Sequence, residues 1–264
     1  MNKVIRAEFG RTINAGLIIA IAGIIFSICF DSFNDLIAGL RNGQGYVGYF
    51  FSNAAFGGMC TKYMLPVFTA LPFSVSLCQE RNNKAVSYIV SREGKNRYIF
   101  AKFIVSAISG GFVAACGTVL LFLMLAMRFP IAGDEFEGAV VSDYFHEWSA
   151  VYYPQLYILT LSILAFCRGV IWSSLALCVS LYTSDFMVVL LSPFLGSYVL
   201  VRIFQIIRVP DMVRPDMILI GQVVIKSSGL TLLIAIAISL TIVTLIGAFF
   251  VGKMKEGLKS GTIY

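Results

Sequence analysis

Charged residues are scarce in this sequence: aspartate, glutamate, lysine and arginine together make up 13% of its 264 residues. A soluble domain carries about 25% charged residues. Apolar residues account for 58% of the chain, and the mean hydropathy is +0.86. A chain of this length has too small an interior to hide that much apolar surface from water. The composition therefore excludes an ordinary soluble domain and indicates a polytopic membrane protein.

Histidine is nearly absent, because the chain contains 1 histidine, His146. This excludes a histidine-rich metal centre and leaves His146 as the only histidine for a Ser-His-Asp triad. The sequence has no HExxH or GxSxG motif, and the Gly94-Lys95 pair lacks the preceding glycine of a Walker A motif. We therefore expect no enzymatic activity, no metal and no cofactor in this chain. The net charge of +6 is divided among separate loops, which excludes a nucleic-acid partner.

CxxC pairs are also absent, and all the cysteines lie inside or at the edges of apolar runs. In such surroundings a free cysteine behaves as a small hydrophobic residue, and we favour this interpretation over a disulfide or a metal site. The six cysteines are Cys29, Cys60, Cys78, Cys116, Cys167 and Cys178.

Long apolar runs dominate what is present. A transmembrane helix needs about 20 apolar residues, and this length predicts six spans. They cover residues 15–30, 58–78, 99–127, 154–181, 186–206 and 228–252. The basic, amphipathic residues 1–14 predict an interfacial helix on the inner leaflet, with a frayed tail as the alternative. Residues 207–227 are apolar enough to predict a re-entrant segment on the outer side.

Basic residues are unevenly distributed between the two sides of these spans. If the N-terminus is inside, 12 lysine and arginine residues fall on the inner side and 7 on the outer side. Cytoplasmic loops carry the excess of such residues. The count predicts that both termini are cytoplasmic.

The most charged segment is QERNNKAVSYIVSREGKNRYIFAK, residues 79–102. As a helix it places Glu80, Lys84, Ser87 and Ser91 on one polar stripe, opposite Val86 and its apolar neighbours. Gly94 is typical of a C-terminal cap, and Asn96 would then cap a helix that begins at Arg97. The segment predicts a short amphipathic cytoplasmic helix that is suited to docking on a soluble partner, and a solvated basic loop without a partner is the alternative.

This segment resembles the loop between the second and third spans of bacterial ABC-2 type transporter permeases. In that family an acidic residue ends the second span, and a G-x-x-R-Y-x-x-A-K stretch leads into the third. The corresponding residues here are Glu80, then Tyr88 to Arg92, then Gly94, Arg97, Tyr98, Ala101 and Lys102. The motif is loose and covers residues 79–102 only. The six predicted spans, the interfacial helix and the re-entrant segment are also similar to that family.

The resemblance implies a permease subunit of an ATP-binding cassette exporter. Residues 79–98 would form its cytoplasmic coupling loop, and the helix at about residues 80–92 would be the coupling helix. ATP and magnesium would bind to separate cytosolic ATPase subunits, and a second permease subunit, identical or different, would complete the complex in the bilayer. The residues implied in ATPase contact are Glu80, Arg81, Lys84, Tyr88, Arg92 and Arg97.

Arg168 stands near the middle of the fourth predicted span. A central arginine costs about 2.5–3.5 kcal/mol on insertion scales, so something must offset it. Three interpretations are open: contact with a polar or anionic substrate, an interhelical clamp, or a shifted span that lets the side chain reach an interface.

We therefore expect an all-α protein with a single transmembrane domain over residues 1–264, located in a bacterial cytoplasmic membrane. The expected function is that of an exporter permease. The alternatives are a secondary transporter or channel driven by an ion gradient, a lipid-modifying enzyme and a membrane scaffold. The first of these would require carboxylates within the spans, and the spans contain almost none.

Overall fold

The computed structural model describes residues 2–42, 47, 50, 58–130, 154–223 and 225–260. Within these ranges the chain is helical and contains no strand, so the predicted all-α class is confirmed. His146 and most of the acidic segment 128–153 lie outside the described residues.

The described helices are α1 (Asn2–Thr12), α2 (Ala15–Asp31), α3 (Phe33–Asn42), α4 (Met59–Ala70), α5 (Ser76–Asn82), α6 (Val86–Glu93), α7 (Lys95–Ala126), α8 (Pro154–Val179), α9 (Phe186–Ile207), α10 (Pro215–Ile220) and α11 (Ser228–Ser260). A single 3-10 turn, Asp211–Val213, precedes α10 in this part of the chain.

Four described helices are long and apolar enough to cross a bilayer: α7, α8 from Gln155, α9 and α11. A fifth span results if α1 and α2 are counted together as one bent element. Several membrane spans are therefore supported, whereas the predicted number of six is not reached within the described residues. The apolar pattern reports the length of a hydrophobic run and does not show where the run is broken.

The second predicted span, residues 58–78, is divided into two short helices. The helix α4 ends at Ala70, five residues in turn conformation follow, and α5 begins at Ser76. Pro72 lies in this turn; proline has no backbone N–H and disfavours the helical conformation of the residue before it. By contrast, Pro66 and Pro193 lie inside continuous helices. Residues 58–78 therefore form two helices and not one continuous spanning helix.

The boundary between α1 and α2 lies where the sequence predicts it. The side chain of Asn14 caps α2 by accepting a hydrogen bond from the backbone N–H of Leu17 at 3.1 Å. The two helices meet at an angle of 58°. The helix α1 packs against α7, and Glu8 and Thr12 on that side are buried.

Small residues bring α7 and α8 into close contact at the centre of the bundle. A Cβ atom added at Gly169 would collide with the backbone carbonyl of Gly110. Ser106 and Ser173 extend the same seam, and the hydroxyl of Ser106 donates to the carbonyl of Ser173 at 3.3 Å. Small residues let helix backbones approach in this way in membrane proteins.

The helix α4 packs within this framework against α2, α7, α8 and α9. Its N-terminus has no side-chain cap of its own, and Asp31 at the end of α2 supplies one. The Asp31 carboxylate accepts from the backbone N–H groups of Cys60 at 3.0 Å and Thr61 at 2.6 Å. A carboxylate at a helix N-terminus satisfies free donors and complements the helix dipole, so Asp31 fixes the start of α4.

Candidate functional site

Three segments that the sequence assigns to the inner side pack together at one end of the bundle. They are the α5–α6 region, the turn after α8 and the last turns of α11. Their buried apolar side chains form one cluster with the start of α7. Its members include Leu77, Val86, Val90, Tyr98, Leu181, Met254 and Leu258. The grouping agrees with the predicted placement of these segments on one side of the membrane.

The predicted continuous helix through residues 80–92 is broken into two pieces. The helix α5 ends at Asn82 and α6 begins at Val86. Between them Lys84 adopts a positive φ of 54°. The prediction of one polar stripe that joins Glu80 to Ser91 is therefore wrong, because the two residues belong to different helices.

The helix α6 is amphipathic, as the sequence predicts for this stretch. Val86 and Val90 are buried, whereas Ser87 and Arg92 are exposed. Tyr88 shows 71% of its surface to solvent although it is large and partly apolar. A rigid helix with an exposed aromatic and an exposed arginine offers the side-chain types that dominate the energetics of protein–protein interfaces.

Gly94 forms the whole connection between α6 and α7. Its φ of 86° and ψ of 136° are open to glycine and strongly unfavourable for other residues. The helix α7 begins immediately afterwards at Lys95, so the predicted start at Arg97 with Asn96 as the cap is wrong. Gly94 connects the two helices in one residue and itself occupies the N-cap position of α7, so Asn96 lies inside the helix.

Glu80 lies in a buried ion cluster and not on the exposed face. The buried ion cluster consists of Glu8 from α1, Arg11 from α1, Glu80 from α5 and Lys102 from α7. Lys102 Nζ lies 2.7 Å from Glu80 Oε1 and 3.1 Å from Glu8 Oε2. Arg11 Nη1 lies 2.7 Å from Glu80 Oε1 and 3.2 Å from Glu8 Oε1. The Tyr98 hydroxyl donates to the other oxygen of Glu80 at 2.5 Å.

The charges within the buried ion cluster cancel, since it contains two carboxylates and two cations. Lys102 is completely buried and Glu80 is 8% exposed. Buried charges persist only when they are paired and their remaining donors are satisfied; here Ser76 Oγ accepts a third hydrogen bond from Lys102 at 3.1 Å. The cluster ties α1, α5 and α7 together directly beneath α6.

Arg81 is also occupied within the fold. Its guanidinium donates to the carbonyls of Ser180 at 2.9 Å and Leu181 at 3.2 Å, just beyond the end of α8. Asn82 donates to the carbonyl of Ser184 at 3.2 Å. A cation at a helix C-terminus satisfies free carbonyls and complements the dipole. These bonds fasten α5 to the turn after α8.

The six residues predicted for ATPase contact therefore fall into two groups. Glu80 and Arg81 hold the α5–α6 region in place, and Lys84, Tyr88, Arg92 and Arg97 are exposed. Contact with an ATPase stays a prediction for all of them. Sequence reasoning missed the roles of Glu8 and Lys102. The signal that the sequence offered for Lys102 was a lysine immediately before a long apolar run. That signal does not identify its partners, because Glu80 and Glu8 lie 22 and 94 residues away in the chain.

Arg168 lies near the middle of α8 and lines a cavity of about 170 Å³ between α4, α8, α9, α10 and α11. Its guanidinium makes one hydrogen bond within the described part of the chain, to the carbonyl of Thr61 at 3.4 Å. Lys62 and Asp216 line the same cavity. The remaining lining is almost entirely apolar, for example Trp172 and Leu200.

Asp216 is already neutralised by a neighbour outside the cavity lining. Arg214 contacts both of its carboxylate oxygens, from Nη2 at 2.8 Å and from Nε at 3.2 Å, and also reaches Asp211 at 3.2 Å. The hydrogen bonds to Asp216 raise the pKa of Arg214, so the guanidinium stays charged. This arrangement fixes the N-terminal end of α10, which the sequence assigns to a re-entrant segment.

Comparison of the chain with family models, with curated protein sequences and with solved structures finds no match. Among the described residues, no group of three or more histidine, cysteine, aspartate or glutamate side chains is arranged to hold a metal ion. Any functional assignment consequently rests on the geometry of the chain itself and on the resemblance of residues 79–102.

Proposed function

We propose that this chain is the membrane permease subunit of an ATP-binding cassette exporter, with ATP hydrolysed on separate cytosolic ATPase subunits. The observation that carries the proposal is the α5–α6 region. It presents Tyr88 and Arg92 on an exposed amphipathic helix while its base is anchored through Glu80 and Arg81. The resemblance of residues 79–102 to ABC-2 type permeases supports the same assignment. On this proposal the protein lies in a bacterial cytoplasmic membrane with both termini inside.

The anchoring of α6 suggests how motion would pass to the membrane helices. A force applied to α6 by a closing ATPase would reach α7 through the single residue Gly94. It would reach α1 and α8 through the ionic and hydrogen-bond contacts of α5. Because these contacts are short and attach the segment to two different helices, the segment would move as a rigid lever and not as a loose loop. ATP closure would then reorient α7 and α8, whose close packing makes them one unit.

A second permease subunit, identical or different, would pack against the apolar faces that this chain leaves uncovered. Within the apolar windows of α9 and α11, 22% and 17% of the residues are buried, against 61% for α8. Helices at the periphery of a bundle contact either lipid or another subunit. We propose that the substrate moves along the interface that these faces form, with Arg168 as a pathway residue or an interhelical clamp.

The test is co-purification of ATPase subunits from native membranes in mild detergent. The variant Tyr88→Ala with Arg92→Ala removes the exposed face of α6 and leaves the buried ion cluster intact. Met212→Ala with Val213→Ala is the control, because both side chains are exposed and belong to the segment that the sequence assigns to the outer side of the membrane. We expect an ATPase to accompany the wild type and the control and to be lost from the α6 variant.

Two results would contradict the proposal. The first is wild-type protein that brings down no ATPase and still moves substrate under an ion gradient, which would favour the secondary transporter or channel. The second is equal recovery of an ATPase with the α6 variant and the wild type, which would remove α6 as the contact. Transport by reconstituted protein with and without ATP separates the two classes.

A further inference from the structure

The cavity at Arg168 contains positive charge that the described residues do not neutralise. Arg168 has five N–H donors and uses one of them, in a long hydrogen bond to a neutral carbonyl. Lys62 makes no side-chain hydrogen bond or ion pair with any described residue. Its charged neighbours are Asp216, Arg214 and Arg168. Arg214 is shared between Asp216 and Asp211, so these three residues and the two cations Lys62 and Arg168 together leave one positive charge in excess at the cavity.

An excess of charge in apolar surroundings is costly unless a counter-ion accompanies it. The two cations suit a phosphate in different ways. The planar guanidinium of Arg168 can donate to two oxygens at once, and the ammonium of Lys62 acts as a point charge. Without a bound anion, these two cations would need a carboxylate of the protein as their counter-charge. The lining carboxylate, Asp216, already pairs with Arg214.

The rest of the cavity is suited to a hydrocarbon chain. Ile171, Trp172, Leu175 and Ile246 line it, and Leu200 both lines it and is 37% exposed on the outer face of α9. The volume of about 170 Å³ is below the roughly 300–1,000 Å³ of sites that enclose a drug-sized molecule. A headgroup and the first carbons of a chain therefore fit inside, and the remainder of the chain leaves past Leu200.

We infer that this cavity binds an amphiphile with a phosphate headgroup, held by Arg168 and Lys62 with its tail against Trp172. A membrane phospholipid and a transported alkyl phosphate share this chemistry. The inference goes beyond the proposed function, because it concerns the isolated chain and requires no ATPase. A failure of ATPase recruitment would leave it standing, and absence of binding would leave the exporter proposal standing.

Trp172 provides the readout. The chain contains 2 tryptophans, so the variant Trp148→Phe leaves Trp172 as the sole indole. Bromine quenches indole fluorescence on contact. The probes are a brominated alkyl phosphate, a brominated phosphatidylglycerol and a brominated neutral alkyl maltoside. Each is titrated into the purified Trp148→Phe protein in neutral micelles.

We expect saturable quenching by a phosphate probe and only weak, non-saturable quenching by the maltoside. Saturation by the phospholipid alone identifies a lipid site, and saturation by the single-chain phosphate alone identifies a site for an exported amphiphile. Arg168→Gln is expected to weaken binding about tenfold or more, the effect of losing hydrogen bonds to a charged group. Lys62→Gln is expected to weaken it several-fold, and Arg168→Lys to give an intermediate affinity.

The matched control is Arg202→Gln, an exposed arginine on α9 that does not line the cavity; its affinity should equal that of the parent. If Arg168→Gln does not give a monodisperse protein, Lys62→Gln decides. Equal saturation by the maltoside, or unchanged affinity in Lys62→Gln and Arg168→Lys, would overturn the inference. Displacement of the probe by millimolar inorganic phosphate would overturn the assignment of a tail.

Discussion

Replacing Lys102 with methionine is expected to lower the free energy of unfolding by about 3 kcal/mol. Methionine is close to lysine in length, and its polarisable thioether can pack where the ammonium now lies over the Phe73 ring at 4.7 Å, although the cation–π contact is lost. The change therefore removes one charge and its hydrogen bonds and little packing. It leaves the carboxylates of Glu8 and Glu80 facing each other in a nearly dry site.

The magnitude follows from what remains after the substitution. Removing one partner of a buried ion pair costs about 3–5 kcal/mol, because the other charge stays buried. Lys102 has two such partners, at 2.7 Å and 3.1 Å. Arg11 still reaches both carboxylates, but it is half-exposed and neutralises only part of their charge. The expected loss therefore lies at the lower end of the range.

The assay is reversible unfolding in mixed micelles, with the denaturing detergent titrated and helix content followed by circular dichroism. Lys255→Met is the matched control, since Lys255 is exposed on the same kind of apolar helix; its effect should stay within about 0.5 kcal/mol. The double variant Lys102→Met with Glu8→Gln removes one of the stranded charges. We expect it to recover about 1 kcal/mol or more relative to Lys102→Met alone.

Two outcomes would refute this reasoning. If Lys102→Met is no more destabilising than Lys255→Met, the buried ion cluster contributes nothing to the fold. If the double variant is as unstable as the sum of the single variants Lys102→Met and Glu8→Gln, the ion pair of Lys102 with Glu8 contributes no coupling energy between α7 and α1.

Three further predictions test the helix seam, the α6–α7 turn and the cavity. Gly169→Ala should lower the free energy of unfolding by about 1–3 kcal/mol, because it forces α7 and α8 apart. Gly252→Ala places a Cβ atom that meets no atom within 4 Å and should stabilise α11 by up to about 1 kcal/mol. Unfolding in mixed micelles measures both. Gly94→Ala should lower the free energy of unfolding by about 1–3 kcal/mol from backbone strain alone. Gly94→Asn should be no more stable, because a ψ of 136° lies outside the left-handed helical region that asparagine tolerates. An asparagine variant as stable as the wild type would contradict this. Asp216→Asn should tighten binding of the brominated alkyl phosphate, since it removes the one carboxylate among the described lining residues; weaker binding by a well-folded variant would contradict the charge assignment.

Local features of the sequence predicted a large part of the architecture. Composition determined the membrane class, because burying this many apolar side chains in a small soluble domain is geometrically impossible. The amphipathic α6 and the glycine at its end were also readable, since helical periodicity and C-terminal caps depend on residues within one or two turns. These features located the exposed helix α6, which we propose as the contact with the ATPase.

Only the tertiary structure decided which polar residues meet. Glu80 and Arg92 look alike in the sequence, as charged residues of one basic loop, yet Glu80 is buried beneath α1 and α7 while Arg92 is exposed. Arg168 looked isolated until folding placed Lys62, 106 residues earlier in the chain, on the same cavity. Hydropathy and periodicity describe neighbours along a helix, whereas ion pairs and cavities arise where distant helices touch, so their partners were determined by packing.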